Sequence, residues 1–254
     1  MDIHGVAALA EAIRANIGKV IFGKDAEIRL IINALISGGH VLLDDIPGTG
    51  KTSLARALAR SVDGEVKRIQ FTPDLLPSDV TGINFYNQKT GEFVFRRGPV
   101  FTNVLIADEI NRTTPRTQSA LLECMGEGQT TVDGVTYPMA RPFFVIATQN
   151  PVEIQGTYPL PEAQLDRFAI KLSMGYPTAA EEISIIRARK TDNPLAGVRS
   201  VLSADTLRDI RSMMTDVRID DALYTYIVTL VTATRRHPSL ALGASPRASV
   251  ALVH

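Results

Sequence analysis

Apolar positions Val6, Leu9, Ala10, Ile13 and Ile17 recur at helical spacing, with Gly18 as a stop, and predict a helix over residues 6–18. The connector Val20-Ile21-Phe22-Gly23-Lys24 leads to a second helix over 25–38, with Ile28, Ile31, Ile32, Leu35 and Ile36 inward and Gly38-Gly39 at its end. His40-Val41-Leu42-Leu43 is a continuous apolar run, as expected of a strand covered on both faces. A glycine-rich turn at 47–50 opens a helix from Lys51 to Arg60. Strand patterns recur at Glu65–Phe71, Val104–Ala107 and Phe143–Thr148, and a helical pattern through Gln118, Leu121, Leu122 and Met125 separates the last two. This alternation predicts an α/β fold built on a parallel sheet with helices on both faces.

Two stretches break that rhythm. Thr81–Pro99 carries the alternating segment Phe93-Val94-Phe95, and Thr130–Pro138 carries the turn signal Asp133-Gly134. Both read as β-hairpins inserted into the α/β core. After Pro177 the pattern becomes helical, over 179–190, 203–215, 219–236 and 245–254, with no convincing strand. A domain boundary is expected near Tyr176-Pro177-Thr178.

The strongest chemical signal is Pro47-Gly48-Thr49-Gly50-Lys51-Thr52, which follows a strand and opens a helix. Glycines let the backbone curl so that its N–H groups point at phosphates, and the helix N-terminus adds partial positive charge. Lys51 suits the β- and γ-phosphates, and the Thr52 hydroxyl suits Mg²⁺. The full pattern asks for a glycine where this chain has Asp45, a change at the start of the loop that leaves the cradle intact. Val104-Leu105-Ile106-Ala107-Asp108-Glu109 is a buried strand ending in two acids. Asp108 suits an indirect contact to Mg²⁺, and Glu109 can take a proton from a water facing the γ-phosphate. Phe143–Thr148 runs into Gln149-Asn150-Pro151, and an amide there could hold the same water.

Composition narrows the class. The chain has 254 residues, 45% hydrophobic and 21% charged, which excludes overall disorder and collagen-like repeats. Lysine plus arginine and aspartate plus glutamate are 27 each, a poor balance for sequence-independent nucleic-acid binding. One cysteine, Cys124, fits a reducing compartment. With no apolar run near bilayer length and no signal-peptide pattern at the N-terminus, the expectation is a cytoplasmic protein without a membrane partner.

These strings together resemble the AAA+ ATPases and, within them, the MoxR family. They include the phosphate loop (Walker A), Ala107-Asp108-Glu109-Ile110-Asn111-Arg112 (Walker B) and Gln118-Ser119-Ala120-Leu121-Leu122-Glu123. They continue with Ala147-Thr148-Gln149-Asn150-Pro151, Leu160-Pro161-Glu162-Ala163-Gln164-Leu165-Asp166-Arg167-Phe168 and Gly243-Ala244-Ser245-Pro246-Arg247-Ala248. The resemblance implies an AAA+ nucleotide-binding domain over 1–177 and a smaller helical lid over 178–254, incomplete at its C-terminus. It implies ATP and Mg²⁺ as cofactors, with Ile21, Phe22 and Gly23 at the adenine, Pro47 to Ser53 at the phosphates, and Thr52 and Asp108 at the metal. Asn150 resembles sensor 1 and Arg167 the arginine finger, often presented to a neighbouring subunit. Arg247 resembles sensor 2, reaching the γ-phosphate of its own subunit. The hairpins resemble the helix-2 insert and the hairpin before sensor 1, with Phe93, Phe95, Arg96 and Arg97 as contact residues or as packing. The family implies a homo-hexameric ring, partners with von Willebrand factor A domains, and chaperone-like maturation of proteins or metal-cofactor enzymes. A nucleic-acid motor, a non-catalytic nucleotide switch and a small-molecule kinase are the competing classes. Zero net charge, the Asp108-Glu109 pair and the arginine-bearing lid argue against them in turn.

Overall fold

The computed structural model describes residues 3–152, 156–191 and 193–253. His254, the end of the expected last helix, lies outside them. In chain order, α1 (Ile3–Gly18) and α2 (Asp25–Ser37) precede β1 (Val41–Asp44), α3 (Lys51–Ser61), β2 (Val62–Asp63) and β3 (Val66–Gln70). Then follow α4 (Pro77–Thr81), β4 (Gly82–Asn87), β5 (Glu92–Arg97), β6 (Val104–Asp108), α5 (Pro115–Glu127), β7 (Gln129–Val132) and β8 (Val135–Pro138). The α/β part closes with β9 (Phe144–Gln149), α6 (Glu162–Leu165) and β10 (Ile170–Leu172). Beyond Pro177 come α7 (Ala179–Thr191), β11 (Leu202–Ser203), α8 (Ala204–Met214), α9 (Asp221–Thr234) and α10 (Pro246–Ala251).

Five parallel strands form the central sheet in the order β10-β1-β9-β6-β3. The inner three are buried because their residues alternate between two apolar layers. Val41, Leu43, Ile106, Phe144 and Ile146 face α1, α2 and α3 through Ile13, Ile31, Leu35, Leu54 and Leu58. Leu42, Leu105, Ala107, Val145 and Ala147 face α5 through Leu121 and Leu122. Each fully buried isoleucine or leucine contributes about 1.5–3 kcal/mol, so two full layers fix the register. The edges carry charge: Lys67 and Arg68 on β3, Lys171 on β10, which discourages further strand addition.

Both insertions form antiparallel hairpins, β4–β5 and β7–β8. Asp133 (φ 49°) and Gly134 (φ 79°) make the tight turn of the second. The hairpins meet where Phe95 stacks on Tyr137 with ring centroids 4.0 Å apart. Phe95 is therefore packing, whereas Phe93 is 74% exposed; Arg96 and Arg97 are also exposed, Arg97 lying over the Phe101 ring.

Two differences from the sequence expectation concern strands. β10, at the sheet edge, has only three residues with lysine in the middle, too short for periodicity to register. The region after Pro177 is not purely helical: β11 pairs with β2 in parallel, Leu202 opposite Val62. The half-buried Arg211 ties α8 to α2, its guanidinium donating to the Leu35 carbonyl at 2.7 Å. Burial pushes the Arg211 pKa down to about 10. No described helix is long and apolar enough to cross a membrane.

Candidate functional site

The loop between β1 and α3 follows from its glycines. Gly48 (φ 86°) and Gly50 (φ 90°) take left-handed conformations that other residues adopt at a cost. A side chain at Gly48 would meet nothing within 4 Å, so the turn opens onto free space. Pro47, Gly48, Gly50, Lys51, Thr52 and Ser53 line one wall of a cleft of about 360 Å³ at the carboxyl ends of the strands. This is where open α/β sheets bind ligands. Lys51 folds its ammonium back onto the carbonyls of Asp45 and of Gln149, the latter at 2.8 Å. Partial burial lowers its pKa, opposed by the carboxylates of Asp45, Asp44, Glu109 and Asp108.

The facing wall comes from β6, β9 and β3. Asp108 is 2% exposed, and its carboxylate accepts from Thr52 Oγ1 and Thr148 Oγ1, each at 3.3 Å, and from Arg68 Nε at 2.6 Å. Glu109 then turns the backbone sharply, at φ 58°, and its N–H donates to Thr148 Oγ1 at 2.9 Å. Its carboxylate accepts from Gln70 Nε2 at 2.8 Å and Arg112 at 3.2 Å. Arg68 also donates to the Gln70 amide oxygen at 2.9 Å, so the two acids are linked through side chains of β3.

Asn150 lies at the end of β9 and lines the same cleft. Asn111 holds it there: the Asn111 amide donates to the Asn150 carbonyl at 2.9 Å, and the Asn150 N–H donates to Asn111 Oδ1 at 3.3 Å. Buried Gln118 braces the same region by donating to the carbonyls of Ile110 and Tyr158.

A second cavity, about 420 Å³, shares Gly48, Gly50 and Ser53 with the cleft and adds Thr49, Ile21, Phe22, Met174, Ile185 and Leu195. Gly23, expected here, is not among its lining residues; at φ 69° it lies under the Glu181 carboxylate of α7, which an added Cβ would displace. A polar cleft joined to an apolar cavity through a glycine turn suits a group that is phosphate at one end and a flat ring at the other. Thr52 and Asp108 present hard oxygen donors of the kind Mg²⁺ prefers. Among the described residues no group of three or more His, Cys, Asp or Glu could hold a metal ion.

The two arginines lie elsewhere. Arg167 donates to the Leu122 carbonyl at 2.5 Å and presses on Gly126, where a side chain would collide with its guanidinium. It lines a groove with His40, Asp166 and Arg247, beside the amino end of β1 and opposite the phosphate loop. Arg247, expected at the γ-phosphate of its own chain, lines this groove and is not among the residues lining the cleft. Ser245 Oγ donates to both Asp166 carboxylate oxygens, at 2.7 and 2.8 Å, and accepts from the Arg247 N–H at 3.1 Å. These bonds dock the start of α10 beside Arg167.

Four polar residues of this region escaped the sequence reading as site residues: Arg68, Gln70, Asn111 and Thr148. Arg68 and Gln70 alternate on the β3 face that reaches Asp108 and Glu109. Polar side chains two apart near a strand's carboxyl end were the available signal, and they carry meaning only once β3 is known to neighbour β6.

The fold and the paired loops are those of the AAA class of ATPases. The sequence profile of the ATPase family associated with various cellular activities (AAA) matches residues 40–170. The chain is 52% identical over 252 residues to the uncharacterized protein YeaC of Bacillus subtilis, covering 99% of this chain and 78% of that one. It is 43% identical to the chaperone MoxR1 of Mycobacterium tuberculosis over 92% of its own length and 64% of the relative's. A crystal structure of a proposed ATPase from Cytophaga hutchinsonii superposes with a TM-score of 0.85 at 41% identity, covering 98% of this chain and 78% of that one. The chain belongs to the MoxR family of AAA+ ATPases.

Proposed function

We propose that the chain binds ATP with Mg²⁺ between the α/β domain, residues 1–177, and the helical lid, residues 178–254. Hydrolysis occurs as one subunit of a ring, a homo-hexamer by family resemblance, and drives chaperone-like remodelling of partner proteins. Lys51 leaves the two carbonyls it now serves and neutralises the β- and γ-phosphates. Thr52, with Asp108 behind it, would hold the metal, which would withdraw electron density from the phosphates. Glu109 accepts a proton from the attacking water while Gln70 and Arg112 donate to its Oε2 and orient the carboxylate. Asn150, fixed by Asn111, orients that water. Ile21 and Phe22 cover the base.

One observation carries the reading. The cleft collects Lys51, Thr52, Asp108, Glu109 and Asn150, while Arg167 and Arg247 share a groove on the far end of the strands. A chain built this way completes its site only beside a second copy, which presents the arginine groove to the cleft. Steady-state ATP turnover per subunit should climb with protein concentration and then level off. A flat rate from a species that sizes as a monomer would overturn the ring. The family resemblance supports proteins with von Willebrand factor A domains as partners; co-purification with such a domain tests that.

A further inference from the structure

Asp45 occupies the position where the full phosphate-loop pattern has glycine, and the proposed chemistry gives its side chain no role. It is 5% exposed. A buried carboxylate needs donors, and this one has three backbone N–H groups. Oδ1 accepts from Ile46, the next residue of the loop, at 2.8 Å. Oδ2 accepts from Met174 and Gly175, each at 2.7 Å. Its own carbonyl is one of the two that hold the Lys51 ammonium. Met174 and Gly175 belong to the short strap between β10 and α7, and both line the apolar cavity. Gly175 has φ 61° and open space where a side chain would be. The rest of the strap is also tied: Lys24 Nζ donates to the Tyr176 carbonyl at 3.2 Å, and the Glu181 carboxylate accepts from the Thr178 N–H at 2.7 Å.

We propose that Asp45 is a positioning residue that couples the phosphate loop to the strap leading into α7, so that the posture of Lys51 and the direction of α7 change together. The inference rests on the ATP-binding reading above. Its physical basis is the shared residue: the carbonyl of Asp45 contacts the lysine that must move toward phosphates, and its carboxylate grips the strap. The strap end is held by two 2.7 Å bonds to the carboxylate, and the lysine end sits on the backbone carbonyl of the same residue. Asp45→Gly separates loop chemistry from coupling, because it restores the common loop pattern while leaving the Met174 and Gly175 amides without their acceptor.

The test is amide hydrogen exchange of the strap, with and without Mg²⁺-ATP, in the Glu109→Gln background to limit turnover. The Met174 and Gly175 amides should be protected in the nucleotide-free protein and should change exchange rate when ATP binds. In Asp45→Gly they should exchange about 10- to 100-fold faster, and ATP should bind within about threefold of the parent, yet strap exchange should no longer respond to it. With Glu109 restored, Asp45→Gly should lower kcat and leave KM nearly unchanged. Asp45→Ala, which also removes the acceptor but keeps a Cβ at this position, is measured in parallel so that misfolding of the glycine variant does not end the test. A strap that still responds to ATP in either variant overturns the coupling. Unprotected Met174 and Gly175 amides in the parent also overturn it. If instead the parent binds no ATP while those amides are protected, the ATPase reading fails and the coupling falls with it, whereas the carboxylate clamp itself stands.

Discussion

The phosphate cleft and the arginine groove are built from opposite ends of the same strands, and they are opposite in chemistry. The cleft holds two acids, a lysine and an asparagine, and no arginine is among the described residues lining it; Arg68 and Arg112 are engaged by Asp108 and Glu109. The groove holds Arg167 and Arg247 over buried His40 and lacks a phosphate loop. Each region lacks what the other has. Backbone conformation makes the cleft: two left-handed glycines, and Glu109 at φ 58°. Tertiary docking makes the groove, with Arg167 on a turn after α6 and Arg247 on α10, joined through the Asp166 carboxylate and Ser245.

The sharpest way to break this comparison is to disable each half in a different chain. Glu109→Gln and Arg167→Ala should each lower turnover by roughly 10³-fold or more. Mixing the two inactive proteins should restore measurable turnover, since some interfaces then pair an intact cleft with an intact groove. If the mixture stays silent while both variants assemble normally, the two halves do not complete one another.

His40 tests the floor of the groove. Burial holds its imidazole down at about 4, with the Met125 carbonyl opposing and Arg211 reinforcing the shift. Its ordinary value is 6.5, so as pH falls from 6.5 toward 4 the unfolded chain takes up a proton that the folded chain refuses. Stability should decline over that window by about 3 kcal/mol. Denaturant midpoints at several pH values would show the slope, and His40→Gln should flatten it.

Smaller effects sharpen the picture. Arg247→Ala should lower turnover about 10- to 100-fold with little change in ATP binding to the isolated chain, because Arg247 does not line its own cleft. A large loss of affinity measured below the assembly concentration would return Arg247 to its own site. Ser245→Ala removes the α10 cap and the link to Asp166, at about 1 kcal/mol, so calorimetry should find a melting point lower by about 2–4 °C.

Legibility in the sequence followed the same division. Lys51, Thr52, Asp108, Glu109 and Asn150 stand in contiguous strings at strand ends, and the structure places all five on one cleft. The sequence leaves Phe95 between contact and packing, because its stacking on Tyr137 depends on the two hairpins meeting. Helices over 25–38 and from Lys51 onward were predicted within a residue or two, because apolar period and glycine stops are local. β10 was missed, since a three-residue strand has no period. Helix α9 was expected from residues 219–236, and among its described residues only Val231 is buried. Periodicity found that helix without showing what it packs against.

The sequence by itself determined what lies within a few residues of a backbone turn: the glycine cradle, the acid pair at the end of a buried strand and the alternation of strands with helices. Local sterics and the apolar period suffice for these. Only the tertiary structure decided which strands are neighbours, and hence that Arg68 and Gln70 reach the two acids. It decided that α10 docks on Asp166 instead of over the phosphate loop, and that Asp45 grips a strap more than a hundred residues away in sequence. Those outcomes depend on contacts between distant segments, whose partners are chosen by packing and by the need of buried charges for donors.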